Sequence, residues 1–247
     1  MNTPKQNNRI ENKASHTALM AAIHRFMATK EKDSDFIGSD NLAYIFLPPK
    51  AKFFLSIAFL RRVFRKKLHK KVPGTYEYVT ARTKFFDEIF VQTVKEKIPQ
   101  IVFLGAGFDT RAIRFQHLTT ETLIFELDAA TTQNEKKDIL KKQKVALPEN
   151  LVFVPINFNS DSLKENLESS GFDPEKKSLF IWEGVTMYIT ARAVNETLSF
   201  IKHNSGTEST LAFDYFYESV INGTCTSFGA DKLAESASNL IEHFKEL

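Results

Sequence analysis

The residues best equipped for chemistry are two closely spaced glycines and an acid that follows them at a set distance. Gly105-Ala-Gly107 comes directly after the apolar run Ile101-Val-Phe-Leu104 and directly before a helical segment. Glycine turns tightly and lets a ligand come close where a Cβ would stand in the way. The helix N-terminus beyond it offers free amide donors to an anionic group. Asp128 lies 21 residues beyond Gly107, at the end of a second apolar run. That is the spacing at which an acid accepts hydrogen bonds from a ribose. Simpler readings stand beside these: a bare strand-to-helix turn for the glycines, and a helix N-cap before Thr131 for Asp128.

A dinucleotide-binding turn reads Gly-x-Gly-x-x-Gly, the third glycine letting helix and strand pack closely. Thr110 holds that third position here, and Asp109 would set a negative charge beside a pyrophosphate. An adenosyl ligand carrying a sulfonium and an ammonium tolerates that acid better, so charge favours S-adenosylmethionine over a nicotinamide dinucleotide. A dinucleotide oxidoreductase is the competing reading that Thr110 counts against.

The remaining reactive side chains commit to no mechanism, and no catalytic residue is assigned. His16, His24, His69, His117, His203 and His243 are scattered, with no Ser-His-Asp order or carboxylate pair among their neighbours. Each reads as a surface or structural residue. The single cysteine, Cys225, excludes an intramolecular disulfide and a multi-cysteine zinc site, so no metal is expected. Arg111, Tyr188 and Tyr215 lie near strand ends and are candidates to line an acceptor pocket, with salt-bridge and core-aromatic roles equally open.

Five short apolar runs position these residues. Ile101–Leu104, Leu123–Leu127, Leu151–Val154, Leu179–Trp182 and Thr210–Phe213 alternate with helical intervals over Thr131–Val145, Ser160–Ser170 and Ala191–His203. Runs buried on both faces and separated by helices indicate a parallel sheet covered by helices. Upstream, a helix is expected from a Ser15 N-cap through Phe26. A second, amphipathic and basic, is expected over Phe53–Lys71, and a third over Tyr78–Lys97. The expected organisation is a disordered tail over residues 1–13, a helical N-terminal cap over 14–98 and a doubly wound α/β domain over 99–247.

A 43% hydrophobic and 26% charged composition is that of an ordinary globular protein. A net charge of +3 is too small to argue for nucleic acid. Without an apolar leader or an apolar stretch near the roughly 20 residues of a membrane span, a cytoplasmic protein is expected. Charge is uneven, however: residues 50–71 hold nine Lys or Arg and no acid. Such a helix is either a cap whose apolar stripe packs on the domain, the preferred reading, or a membrane-surface element.

Several strings then occur in order: Val102-Phe-Leu-Gly-Ala-Gly-Phe-Asp-Thr-Arg111, Phe125-Glu-Leu-Asp128, Phe153-Val-Pro-Ile-Asn157 and Trp182-Glu-Gly-Val-Thr-Met-Tyr188. With Ser15-His-Thr-Ala18 and Pro73-Gly-Thr-Tyr-Glu-Tyr-Val-Thr-Ala-Arg82, they cover roughly residues 15 to 220. Together they resemble the leucine carboxyl methyltransferase-like family of S-adenosylmethionine-dependent enzymes, especially its bacterial branch. The resemblance implies a Rossmann-like class I methyltransferase sheet with a helical N-terminal cap. It implies S-adenosyl-L-methionine as cofactor and methylation of a carboxylate or hydroxyl oxygen on a small molecule. It also implies roles: Arg82 on the methionine carboxylate, Gly105 and Gly107 along the methionine and adenosine, Asp128 on the ribose, and Glu183 facing the amino-acid end. Asn157-Phe158 stands where the family carries Asp-Leu at the adenine, and a neutral acceptor there is weaker by about 1 kcal/mol. The resemblance implies two further antiparallel strands at the sheet's far edge, which are not expected within this sequence, as Leu247 falls in an expected helix from Ala230. A truncated, non-catalytic relative that binds only the cofactor or a partner is the alternative.

Overall fold

The computed structural model describes residues 4–32, 37–233 and 235, with side chains from residue 16 onward. The five apolar runs are the five strands: β1 (Gln100–Leu104), β2 (Leu123–Asp128), β3 (Leu151–Pro155), β4 (Ser178–Trp182) and β5 (Thr210–Phe213). They form one parallel sheet in the order β3-β2-β1-β4-β5. The chain runs outward from β1 on one side and from β4 on the other. The order therefore reverses between them, and this switch point opens a crevice at the carboxyl ends of those strands.

Period-two alternation divides the strand side chains between two faces. Val102, Leu104, Phe125, Leu127, Phe180 and Trp182 pack with Leu163 and Leu167 of α7 (Leu163–Ser169) and Phe200 and Ile201 of α8 (Ala191–His203). Ile101, Phe103, Ile124, Leu179 and Ile181 face the other way, onto Phe86, Phe90 and Val94 of α4 (Thr75–Lys95). Helix α4 is thus one of the sheet's own covering layers, and a boundary at residue 98 does not separate two cores.

The upstream helices differ from the sequence reading in two places. Helix α1 spans Pro4–Ala28, so the backbone from residue 4 to 13, expected as tail, is helical; residues 1–3 lie outside the described residues. Proline at a helix start costs nothing, because its missing N–H would be unpaired there anyway, and no glycine or proline interrupts the stretch after it. The basic helix is two helices, α2 (Pro49–Ser56) and α3 (Ala58–Lys71), broken at Ile57 with φ −85° and ψ 117°. Ser56 Oγ donates to the Lys52 carbonyl at 2.7 Å, and Arg61 Nη1 donates to the Leu55 carbonyl at 2.7 Å, which caps the end of α2. The expected helix from Ala230 begins there, and most of it lies outside the described residues. No helix among the described residues is long and apolar enough to cross a membrane.

One charged pair is sealed within the fold. Lys136 Nζ, on α6 (Ala130–Lys142), donates to Glu126 Oε2 of β2 at 2.5 Å, and both side chains are buried. Burial pushes the Glu126 carboxyl up to about 7 against the pull of Lys136. A buried pair adds little by itself, but removing one partner strands a charge in a low-dielectric interior. Lys136→Met is expected to cost about 3–5 kcal/mol in urea unfolding, and Glu126→Leu added to Lys136→Met is expected to restore most of it.

Candidate functional site

The crevice at the switch point opens into a cavity of about 1410 Å³. A single ligand usually occupies about 300–1,000 Å³, so the space exceeds what one cofactor needs. Arg82, Gly105, Gly107, Asp128, Asn157, Phe158 and Glu183 all lie in its wall, as do Tyr188 and Tyr215.

The glycine turn is tied to the end of β2. The Gly105 and Ala106 amides both donate to the Leu127 carbonyl, at 2.9 and 2.8 Å. The Gly107 amide donates to Asp128 Oδ2 at 2.5 Å, and the Ala129 amide donates to Asp128 Oδ1 at 2.7 Å. Asp128 therefore fixes the turn rather than capping α6, whose N-cap is Ala129. Burial raises its carboxyl, and the two amide donors oppose that rise. Gly105 has φ +77°, and a Cβ there would lie 2.4 Å from Val185 Cγ2, so it is excluded both by conformation and by space.

Arg82 of α4 spans the ends of two strands. Its Nε donates to Glu183 Oε1 at 3.0 Å, after β4, and its Nη1 donates to Asp214 Oδ2 at 2.8 Å, after β5. Asp214 Oδ1 also receives the Gly184 amide at 2.6 Å, and its Oδ2 receives the Tyr78 hydroxyl at 2.8 Å. Glu183 Oε2 accepts from Arg111 Nη1 at 2.8 Å. Glu183 is thus held between two guanidiniums, which fits a positioning role better than a direct hold on a ligand ammonium.

Arg111 does not reach the acceptor side. It is buried behind the cavity wall, with Nε on Asp87 at 2.7 Å and Nη1 on Asp109 at 2.5 Å as well as on Glu183. The salt-bridge reading is therefore the one realised. It also offsets the negative charge of Asp109, so that acid weighs less against a pyrophosphate than the sequence implies. Burial alone would raise the Asp109 carboxyl, but Arg111, Arg25 and Lys136 hold it low. Asp87 is likewise held low against burial by Arg114 and Arg111.

After β3, where the sequence places the adenine, Asn157 Oδ1 already accepts from the Asn159 amide at 3.0 Å. Asp161 Oδ2 accepts from the Asn157 amide at 2.8 Å, and Asp161 lines the same wall. The sequence reading missed both Asp161 and Asp214. Asp214 carries the same signal as Asp128 and Glu183, an acid at or just past the carboxyl end of a parallel strand. Asp161 carries only a four-residue spacing from Asn157.

A model of the leucine carboxyl methyltransferase family matches residues 18–202. The chain belongs to that family. Among curated relatives, a Mycobacterium tuberculosis protein named "Putative S-adenosyl-L-methionine-dependent methyltransferase Rv3767c" is 34% identical over 126 residues, covering 51% of this chain and 40% of that one. A Bacillus subtilis relative with the same description is 25% identical over 251 aligned residues, covering 96% and 79%. The chain thus spans about two fifths of the mycobacterial relative and most of the Bacillus one. Among solved structures, human N-acetylserotonin methyltransferase in complex with S-adenosylmethionine is 14% identical, covers 86% of this chain and 68% of its own, and has a TM-score of 0.41. That is a loose likeness, and it adds nothing to the family membership.

Two tyrosines and a histidine in the cavity wall are moved away from neutrality. Burial raises Tyr78 to about 12, helped by Asp214, and burial raises Tyr188 as well. Burial lowers His24 to about 4, with Arg82 and Arg25 adding to the effect, and neither ring nitrogen has a hydrogen-bond partner among the described residues. A base of that strength takes up little of a proton at neutral pH.

Two outcomes are expected. Arg111→Met strands Asp109 and takes one of two arginine partners from each of Asp87 and Glu183, and should cost about 3–5 kcal/mol in chemical unfolding. Between pH 6.5 and about 4 the unfolded chain binds the His24 proton and the folded chain does not. Stability should therefore fall as pH drops through that window and level off below it, by at most about 3 kcal/mol from this group. His24→Leu should flatten that part of a stability-versus-pH curve; an unchanged slope would assign the loss to other groups.

Proposed function

We propose that the protein is an S-adenosyl-L-methionine-dependent methyltransferase of the cytoplasm, acting on an oxygen of a small molecule. The observation that carries this reading is the Gly107–Asp128 anchor, which shares with Arg82 the wall of a cavity large enough for cofactor and acceptor together. The donors suit the cofactor's parts. Each Asp128 oxygen keeps a lone pair beyond its amide bond for a ribose hydroxyl. Arg82 has Nη2 outside its two carboxylate bonds, available to a third carboxylate. Gly105 and Gly107 keep the turn free of side chains where the ligand's middle would pass. Asn157 or Asp161 accepts at the adenine amino group, and Phe158 offers its ring. In this reading Glu183 aims Arg82 and does not grip the ligand.

When bound, the cofactor supplies a methyl group on a positively charged sulfur. The protein's part is to align the acceptor oxygen with that methyl and to exclude water. An alcohol or phenol needs a base to take its proton, whereas a carboxylate is already ionised at neutral pH. His24, Tyr78 and Tyr188 supply no such base, His16 also lines the cavity, and the carboxylate reading rests on an acceptor that needs none.

S-adenosylhomocysteine at a hundred times its Kd should stabilise the fold by about 2.7 kcal/mol, read as a rise in Tm. Asp128→Asn should largely remove that rise, and stabilisation by a nicotinamide dinucleotide in its place would sink the reading. With labelled methyl donor and a panel of small acids, alkali should release the label as methanol, as an ester does. Alkali-stable label would move the assignment to a hydroxyl.

A further inference from the structure

The outer face of α2 and α3 is left uncovered by the described residues, and its composition is unusual for a face in contact only with water. No residue of α3 is buried. Leu55, Phe64 and Leu68 pack inward, but Phe53, Phe54, Ile57, Phe59 and Val63 do not; Phe53 is 66% exposed and Phe59 68%. The apolar stripe expected to pack on the domain is therefore split, half inward and half outward. Arg62 and Val63 lie three and four residues after Phe59, Lys66 four and three after those, and Lys70 four further on, so they share one side of α3. An apolar end around the α2–α3 junction thus passes directly into a cationic stretch.

We propose that this face docks the protein on an anionic membrane surface, with the α2–α3 junction inserted at the headgroup–acyl boundary and the cations of α3 lying on the headgroups. Charge complementarity selects the partner. Residues 50–71 hold nine cations and no acid, and Arg62, Lys66, Lys67, Lys70 and Lys71 form no ion pair among the described residues. Their charge is therefore free to act outward, each cation near an anionic surface being worth roughly a fivefold gain in partitioning. The apolar half separates a membrane from a nucleic acid. Phenylalanines could stack on bases, but Ile57 and Val63 beside them have no ring to stack and gain only from an acyl environment. The placement fits as well. Leu68, Lys71 and Val72, at the other end of α3, line the large cavity, so the docking face and the cavity rim belong to one helix. Arg61 and Arg65 are occupied within the fold, on the Leu55 carbonyl and on Glu31, and take no part.

Flotation of the full chain with phosphatidylcholine vesicles, with and without phosphatidylglycerol, tests this at an ionic strength of about 0.1 M. The protein should float only with the anionic vesicles, and less as salt rises. Combining Arg62→Glu, Lys66→Glu and Lys70→Glu should lower the partition coefficient on the order of a hundredfold. Combining Phe53→Ser and Phe59→Ser should lower it by roughly tenfold or more. Thermal melting followed by circular dichroism should be nearly unchanged in both variants, because the replaced side chains are exposed. Absence of flotation, or equal flotation without phosphatidylglycerol, would overturn the proposal. So would tighter retention of a single-stranded oligonucleotide, which marks a nucleic-acid surface, or insensitivity to the Phe pair alongside sensitivity to charge, which rules out the inserted junction.

Discussion

Arginines and carboxylates alternate through the interior at the carboxyl end of the sheet, and that alternation constrains everything around it. Arg25 meets Asp40, Arg114 meets Asp40 and Asp87, Arg111 meets Asp87, Asp109 and Glu183, and Arg82 meets Glu183 and Asp214. Each of these charges would be costly to bury alone, and each is tolerable only because its neighbours are in place. The links come from α1, from the segment before α2, from α4, from the glycine turn and from the loops after β4 and β5. Helices far apart in sequence are thereby locked to the strand ends. Buried ion pairs of this kind add little net stability over an apolar core; what they contribute here is a fixed geometry at the ligand wall.

The sheet was legible because burial on both faces leaves a plain mark: short apolar runs spaced by helices. All five strands lie within one residue of those runs at each end. The glycine turn and Asp128 were legible because their spacing is local to one strand-turn-helix-strand unit. Side-chain pairing was not. Asp109 is two residues from Arg111, but Asp87 and Glu183 are 24 and 72 away. No spacing rule connects them, so the sequence left Arg111 between a pocket role and a salt bridge. The break at Ile57 was hidden for another reason. It falls in a stretch with helical periodicity on both sides and no glycine or proline to mark it.

The same network alters how the acid beside the glycines should be understood. Read from the sequence, Asp109 is a charge that turns a pyrophosphate away. In the fold it is half of a buried pair, and what remains against a pyrophosphate is Thr110 in the third glycine position. The case for an adenosyl ligand then rests on the Asp128 and Arg82 sides of the cavity and on family membership, not on local repulsion.

Trp182 is the one tryptophan in the chain, and it closes β4 immediately before Glu183. It is fully buried, packs 6.4 Å from the Phe213 ring at the end of β5, and has no hydrogen-bond partner for its indole N–H among the described residues. Its intrinsic emission therefore comes from a single position, at the seam between the hydrophobic core and the ligand wall. The protein carries a built-in optical reporter. A change in the Glu183 side of the wall and the opening of the core both pass through that one fluorophore, and neither signal is averaged over other sites.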